Sequence, residues 1–206
     1  MVLCTTSWYV RAQEGNYEFM VMGVPQQILN NCVRIDLDIP LATDYKWLVL
    51  SPQFWFKEES LEDALEHNDY ETLLGGGLDA YSKVFISRKS HGKGLYLSYG
   101  GGYRILRLST SYFLWKKYLE NDLVYYNRIP ADFNVYIHGI TGKAITGFQM
   151  EVAEGFFMDL FIGFGVRLSI HDNPAGSFIK YNHGTNDYGY TGTFFVGGAR
   201  LGIALD

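Results

Sequence analysis

Proline and cysteine are scarce in this chain: 5 Pro and 2 Cys in 206 residues. Two cysteines, Cys4 and Cys32, cannot build a disulfide framework, and no C-x-x-C spacing offers a metal site. A single Cys4–Cys32 bridge is the one pairing open to them; Cys32 reads better as a small apolar residue on a strand. The shortage of proline leaves long strands uninterrupted. Also missing is any run of about 18 apolar residues, which excludes a transmembrane helix. Charged residues make up 19 %, below the roughly one quarter usual in soluble domains. The net charge is −5, without the basic excess of a nucleic-acid-binding surface.

What the chain has instead is tyrosine, phenylalanine and glycine: 16, 14 and 23 residues. They are arranged with period two. From Gly155 to Ile170 the chain reads G-F-F-M-D-L-F-I-G-F-G-V-R-L-S-I. Phe156, Met158, Leu160, Ile162, Phe164, Val166, Leu168 and Ile170 share one face. Phe157, Asp159, Phe161, Gly163, Gly165, Arg167 and Ser169 share the other. Alternation of this kind defines a β-strand, and its length exceeds the usual upper limit of about 10 residues in globular sheets. A strand long enough to cross a bilayer, continuous hydrocarbon on one side and charged on the other, points to a transmembrane β-barrel.

The same rhythm recurs along the chain. Tyr17–Val24 reads as a short strand ending at a turn near Gly23 and Pro25. Ile28–Ile39 sets Val33, Ile35, Leu37 and Ile39 against Arg34, Asp36 and Asp38. Lys46–Phe56 sets Leu48, Leu50, Phe54 and Phe56 against Trp47, Val49, Ser51, Gln53 and Trp55. Pro52 lies within it and predicts a bulge or a local interruption. Strands follow over Leu78–Ser87, Gly94–Leu108, Asp132–Glu151, the central stretch and Thr191–Leu205. Connections near 40–45, 88–93 and 152–154 are short; those at 57–76, 110–131 and 171–190 are long. The 57–76 segment is acidic, with a capping-box pattern at Ser60 and Asp63, and 110–131 is rich in aromatics.

Eight strands with alternating short and long connections predict an all-β, eight-stranded antiparallel up-and-down transmembrane β-barrel over 17–206, behind an N-terminal extension over 1–16. The even strand number places both termini on the periplasmic side. An eight-stranded barrel is just wide enough for side chains to fill it. Its inward charges are Arg34, Asp36, Asp38, Lys83, Arg104, Lys143, Glu151, Asp159, Arg167 and Arg200, with Gln53 and Gln149 beside them. Buried charges must be paired, so a packed ion-pair network is expected rather than an open pore. Gly163, Gly165, Gly198 and Gly202, on the same face, would make room for the long basic chains.

Four segments carry a resemblance: R-I-D-L-D-I-P, W-L-V-L-S-P-Q-F-W-F, G-F-F-M-D-L-F-I-G-F-G-V-R-L-S and G-G-A-R-L-G-I-A-L. Together they resemble the small outer-membrane β-barrel proteins of Bacteroidota-type bacteria, over roughly residues 25–205, with D-L-F-I-G-F-G-V-R the most specific piece. The resemblance implies an eight-stranded barrel and no catalytic motif. The chain departs from the pattern in two ways. Met1-Val-Leu-Cys-Thr-Thr-Ser-Trp8 lacks the basic start and apolar core of an export signal, which predicts a processed, trimmed or misassigned N-terminus. Leu205-Asp206 replaces the terminal aromatic of many outer-membrane proteins.

No local Ser/His/acid pattern marks a nucleophilic site. His67, His91, His171 and His183 fall in loops or turns, and His138 has no serine near it in sequence. A triad drawn in space from Ser109 or Ser111 and a loop histidine, or a metal at His171, Asp172, His183 and Asp187, has no sequence signature. The expected protein is a non-catalytic, monomeric outer-membrane barrel without cofactor. Its contacts are lipid and, through the 57–76, 110–131 and 171–190 loops, an extracellular ligand or protein. Two alternatives remain open: an outer-membrane lipid-acyl enzyme, and a lipocalin-like soluble barrel with the apolar face turned inward around a ligand. Strand pattern alone does not say which face is inside.

Overall fold

The structure is a computed structural model that describes residues 17–43, 45–57, 72–87, 92–120, 123–172 and 187–205. Eight antiparallel strands in sequence order close into one barrel. They are β1 (Phe19–Gly23), β2 (Cys32–Pro40), β3 (Lys46–Lys57), β4 (Thr72–Phe85), β5 (Gly94–Glu120), β6 (Leu123–Ala153), β7 (Phe156–Asp172) and β8 (Gly192–Leu205). The β1–β8 pairing, Phe19↔Leu205 to Gly23↔Leu201, completes the ring. Every strand pairs with its sequence neighbour, so the topology is up-and-down, and both barrel ends of the chain lie at the same rim as the short turns.

Burial settles which face is inside. Along β7 the even positions Leu160, Ile162, Phe164, Val166, Leu168 and Ile170 are exposed, while Phe157 and Asp159 are fully buried. The charged face therefore points into the lumen and the apolar face outward on all sides. This is the opposite of a lipocalin, whose apolar residues line its cavity. From Phe156 to Ile170 the outward face of β7 covers roughly 35 Å of barrel height, at ~3.3 Å per residue and a tilt of ~40°.

Three expectations from sequence are corrected. Residues 28–31 do not begin β2. Pro25–Asn30 forms a 3-10 helix that ends at Asn31 in the left-handed conformation. Proline at its start presets the helical φ, and asparagine tolerates the left-handed residue that redirects the chain into β2. Secondly, Thr72–Gly76, assigned to the long 57–76 connection, belongs to β4 and pairs with Ile105–Ser109 of β5; residues 58–71 lie outside the described set. Thirdly, 110–131 is a β-ribbon, not a loop. The β5–β6 ladder runs unbroken to Glu120↔Leu123. β4 leaves β5 at Ser109 and β7 leaves β6 at Tyr136. Thr110–Glu120 and its partner strand thus extend about 35 Å beyond the barrel wall, with no third strand paired to them among the described residues. Aromatic and β-branched residues favour this extended pairing, which the absence of clean alternation concealed.

Pro52 causes no bulge. The β2–β3 register is the same on both sides of it, with Arg34↔Gln53 and Leu37↔Leu50, and only the pairs between them are lost. The missing N–H interrupts the ladder toward β2 while Pro52 keeps its register opposite Leu78 on β4. The bulge of this barrel lies elsewhere, between Glu151 and Ala153.

β1 is only 5 residues long, whereas β8 has 14. Above Gly23↔Leu201, β8 from Gly192 to Arg200 pairs with β7 alone. Cys32–Arg34 of β2 likewise pair with β3 alone. The 3-10 helix sits across this gap, with the Gln26 side chain beside Gly198. The wall is hydrogen-bonded all round in its turn-side half and interrupted in its loop-side half.

Because no barrel strand pairs with the ribbon, replacing 111–131 by a two-residue turn should leave the barrel intact. The unfolding free energy should stay within about 0.5 kcal/mol, measured by denaturant titration. A large loss would show that the ribbon folds back onto the barrel.

Candidate functional site

The lumen is layered. At the turn end Met20, Met22, Trp47, Phe85, Tyr96 and Phe157 form a buried cluster, with Tyr17 and Tyr45 packed against it. Phe85 meets Trp47 and Tyr96 edge-to-face, at centroid distances of 6.3 and 5.7 Å. This cluster stops the lumen on the side where the termini lie.

Above it sits a belt of ion pairs. Arg34 donates to Asp36 through Nε and Nη2, at 2.6 and 2.9 Å, and to Ser51 Oγ at 3.2 Å. Arg200 donates through Nη1 to Asp36 at 3.0 Å and through Nη2 to Asp159, and lies 3.6 Å from Asp38. Lys83 Nζ reaches Asp38 at 2.8 Å, Asp159 at 3.3 Å, and the Gln149 carbonyl. Tyr96 donates to Asp159 at 2.9 Å, and Gln149 donates to the Gly92 carbonyl at 2.7 Å. The cations Arg34, Lys83 and Arg200 balance the carboxylates Asp36, Asp38 and Asp159. All six are buried, which a narrow lumen tolerates only because the charges cancel.

The next layer is smaller. Asp79 accepts from Lys143 at 2.7 Å, Gln53 at 2.6 Å and Tyr81 at 2.5 Å. Above it Arg104 and Arg167 stand apart. Arg104 donates to the Tyr188 carbonyl at 2.5 Å and Arg167 to the Asp187 carbonyl at 3.3 Å. No carboxylate of the described residues pairs with either, and the Nε of each is buried without a partner. Arg104 lies 5.7 Å above the Trp55 ring and Arg167 4.9 Å above Phe194. Both line a cavity of about 830 Å³ in the loop-side half.

The lumen therefore departs from the packed interior expected throughout: it is filled in the turn-side half, while in the other half the cavity lies beside a buried apolar cluster of Cys32, Trp55, Leu73, Leu106, Leu108, Val135 and Ile137. Of the ten charges assigned to one network, Arg34, Asp36, Asp38, Lys83, Asp159 and Arg200 join the belt. Lys143 sits with Asp79, and Arg104 and Arg167 face the cavity. Glu151 is at the turn rim, where it accepts from Tyr17 at 2.8 Å and the Gly155 N–H at 2.9 Å and pairs with Lys93. The bulge beside it takes β6 out of the lumen at that point.

Asp79, Tyr81, Tyr96 and Ser51 were missing from the expected network. Their signal was present: Asp79, Tyr81 and Tyr96 lie on the inward faces of strands that already carried an assigned charge, and Ser51 shares its face of β3 with Gln53. Tyr188 had no signal, because it reaches the lumen from a connection.

Register explains how long side chains fit. Arg104 lies between Gly77 on β4 and Gly139 on β6. Lys143 lies between Gly100 on β5 and Gly165 on β7, and Asp79 is opposite Gly102. A Cβ at Gly139 would stand 2.9 Å from Arg104 Nε. Of the glycines expected to make this room, only Gly165 does so, for Lys143. Gly163 faces Ile145, Gly198 faces Gln26 and Gly202 faces Met22.

Residues considered for catalysis are dispersed. Ser109 donates to Asn134 at 2.7 Å. His138 is on the outer face, 2.6 Å from the Tyr103 hydroxyl, and His171 pairs opposite Ile137 near the end of β7. His67, His91 and His183 lie outside the described residues, as does Cys4. Cys32 is a buried free thiol against Trp55 and Leu106.

Fold and lumen together define a closed eight-stranded β-barrel with a polar interior and an apolar exterior. Among solved structures it is similar to "Crystal Structure of Acinetobacter baumannii CarO", with a TM-score of 0.41 and 12 % identity over 92 % of this chain and 97 % of that one. No protein-family model and no curated protein sequence matches the chain.

Replacing Arg200 by leucine strands Asp36, Asp38 and Asp159 with two cations. The expected loss is about 3–5 kcal/mol of stability, read by denaturant unfolding. Adding Asp159→Asn should recover part of it by restoring the charge balance. A loss below about 1 kcal/mol in Arg200→Leu would show that the belt is solvated.

Proposed function

We propose that the protein is an outer-membrane β-barrel, monomeric and surrounded by lipid, that serves as a structural or surface-interaction protein. The observation that carries this reading is the outward apolar band. Phe54, Leu78, Leu97, Ile140, Ile162, Phe164 and Phe195, from strands all round the barrel, are each exposed, while the charges are inside. Water would oppose such a surface; hydrocarbon suits it. Kinship with the Bacteroidota-type barrels rests on the four sequence segments quoted above.

Interaction is assigned to the rim opposite the termini. The ribbon over 110–131 presents Lys116, Lys117, Tyr118, Leu119, Tyr125, Tyr126 and Arg128 to solvent. Paired strands that expose apolar and basic side chains together are poor solitary structures and good contact surfaces. The acidic 58–71 segment, which joins β3 to β4 in the chain, supplies the complementary charge.

The protein should fractionate with membranes, need detergent, and migrate differently before and after boiling. Ile162→Arg, in the middle of the band, should cost about 2–4 kcal/mol of folding free energy in lipid. Recovery of a soluble monomer without detergent would refute the membrane assignment. The rim is tested separately, by deleting 58–71 together with 111–131 and measuring cell-surface binding. Unchanged binding for every partner tried would remove the recognition role and leave the membrane assignment standing.

A further inference from the structure

The loop-side cavity has a charge imbalance and a side opening. Among its described lining residues Asp79 is the sole carboxylate, and Lys143, Gln53 and Tyr81 already satisfy it. Arg34 is held by Asp36. Arg104 and Arg167 bring two further positive charges to the same space, bonded only to backbone carbonyls through one Nη each. Arg104 is 9 % exposed, and its Nε has no partner. A guanidinium buried to this degree without an anion is costly, and the fork geometry of two of them suits a carboxylate or phosphate.

The opening lies where β1 stops. Among the described residues β8 above Leu201 has no neighbour strand on that side, and the cavity is lined there by outward as well as inward residues, including Leu29 of the 3-10 helix and Phe195. These two side chains are 87 % and 91 % exposed. The gap is level with the apolar band, since Ile162 pairs with Gly197 and Phe164 with Phe195. A path from that level into the cavity passes apolar groups first and reaches the arginines behind them.

We infer that the cavity binds the carboxylate or phosphate head of an amphiphile, held by Arg104 and Arg167, with its apolar tail leaving sideways between β8 and the 3-10 helix. The turn-side plug and the neutral belt close the lumen below, so the site is a pocket with a lateral mouth rather than a stretch of channel. The band level of the mouth rests on the outer-membrane reading; the two unpaired arginines do not.

Calorimetric titration of the full chain in maltoside micelles, with micelle blanks subtracted, tests the site. Sodium laurate should bind saturably, one per barrel, and dodecanol, with the same tail and no charge, should not. Inorganic phosphate, an oxyanion without a tail, should bind at least tenfold more weakly than laurate. Arg104→Gln and Arg167→Gln should each weaken laurate binding tenfold or more, the loss of a charge-assisted hydrogen bond. Lys93→Gln, at the far rim, should leave it unchanged. Arg167 is less deeply buried than Arg104 and, among the described residues, is hydrogen-bonded only to a backbone carbonyl, so its variant keeps the test available if Arg104→Gln fails to fold. Equal binding of laurate by wild type and both arginine variants, or of dodecanol and laurate, overturns the site. Phosphate binding as tight as laurate overturns the amphiphile. Solubility without detergent would defeat the membrane reading, while the laurate titration would still decide the site.

Discussion

Charge cancellation inside a narrow closed wall is the constraint on which this structure depends. Arg200 reaches Asp36, Asp38 and Asp159 at once, and Lys83 bridges the last two. These residues come from β2, β4, β7 and β8, so the belt ties strands on opposite sides of the barrel. In a soluble protein a hydrophobic core would do this, and a buried ion pair would confer little advantage over it. Here most of the hydrocarbon faces outward, and the lumen between its two buried apolar clusters is filled by charged and polar side chains. Hydrogen-bonded partners then decide whether the barrel tolerates its own interior.

Glycine placement follows from that constraint. A long cation in an eight-stranded barrel needs volume beside it, and the nearest volume is the adjacent residue on the next strand. Gly77 and Gly139 flank Arg104, and Gly100 and Gly165 flank Lys143. Gly75 and Gly77 on β4 and Gly100 and Gly102 on β5 are therefore interior lining of paired strands, while Gly76 and Gly101 between them face outward. In sequence the two runs resemble turn or hinge signals, because the residue each inward glycine accommodates lies 20 or more positions away.

The same distinction explains what sequence could and could not show. Fold class was legible, because period-two alternation repeats along the chain, with charges on one face in β2, β4 and β7. The inward side of each strand was legible residue by residue, down to Arg34, Asp36 and Asp38 against Val33, Ile35 and Leu37. Partnership was not. Arg104 and Arg200 occupy equivalent inward positions, yet Arg200 meets three aspartates and Arg104 meets none among the described residues. The difference lies in stagger, which sets the height of each side chain in the lumen and leaves no mark in the local pattern. The ribbon was concealed for another reason: its described side chains from Lys116 to Leu119 and from Leu123 to Arg128 are all exposed, so no buried face imposes an alternation to read.

Stagger also accounts for the asymmetry between the two halves. β1 ends five residues after it begins because Pro25 removes a ladder donor and starts the 3-10 helix. Had β1 matched β8 in length, the strand would have sealed the wall beside Gly192–Arg200, with its alternate side chains directed into the space near Arg167. Ending it early leaves both the gap and the cavity volume. The turn-side half, where β1 and β8 pair, holds the balanced belt and the aromatic plug. The loop-side half, where they do not, holds the two arginines without carboxylate partners. A filled half gives the barrel its stability, and that stability allows the other half to keep an unbalanced charge in an open space.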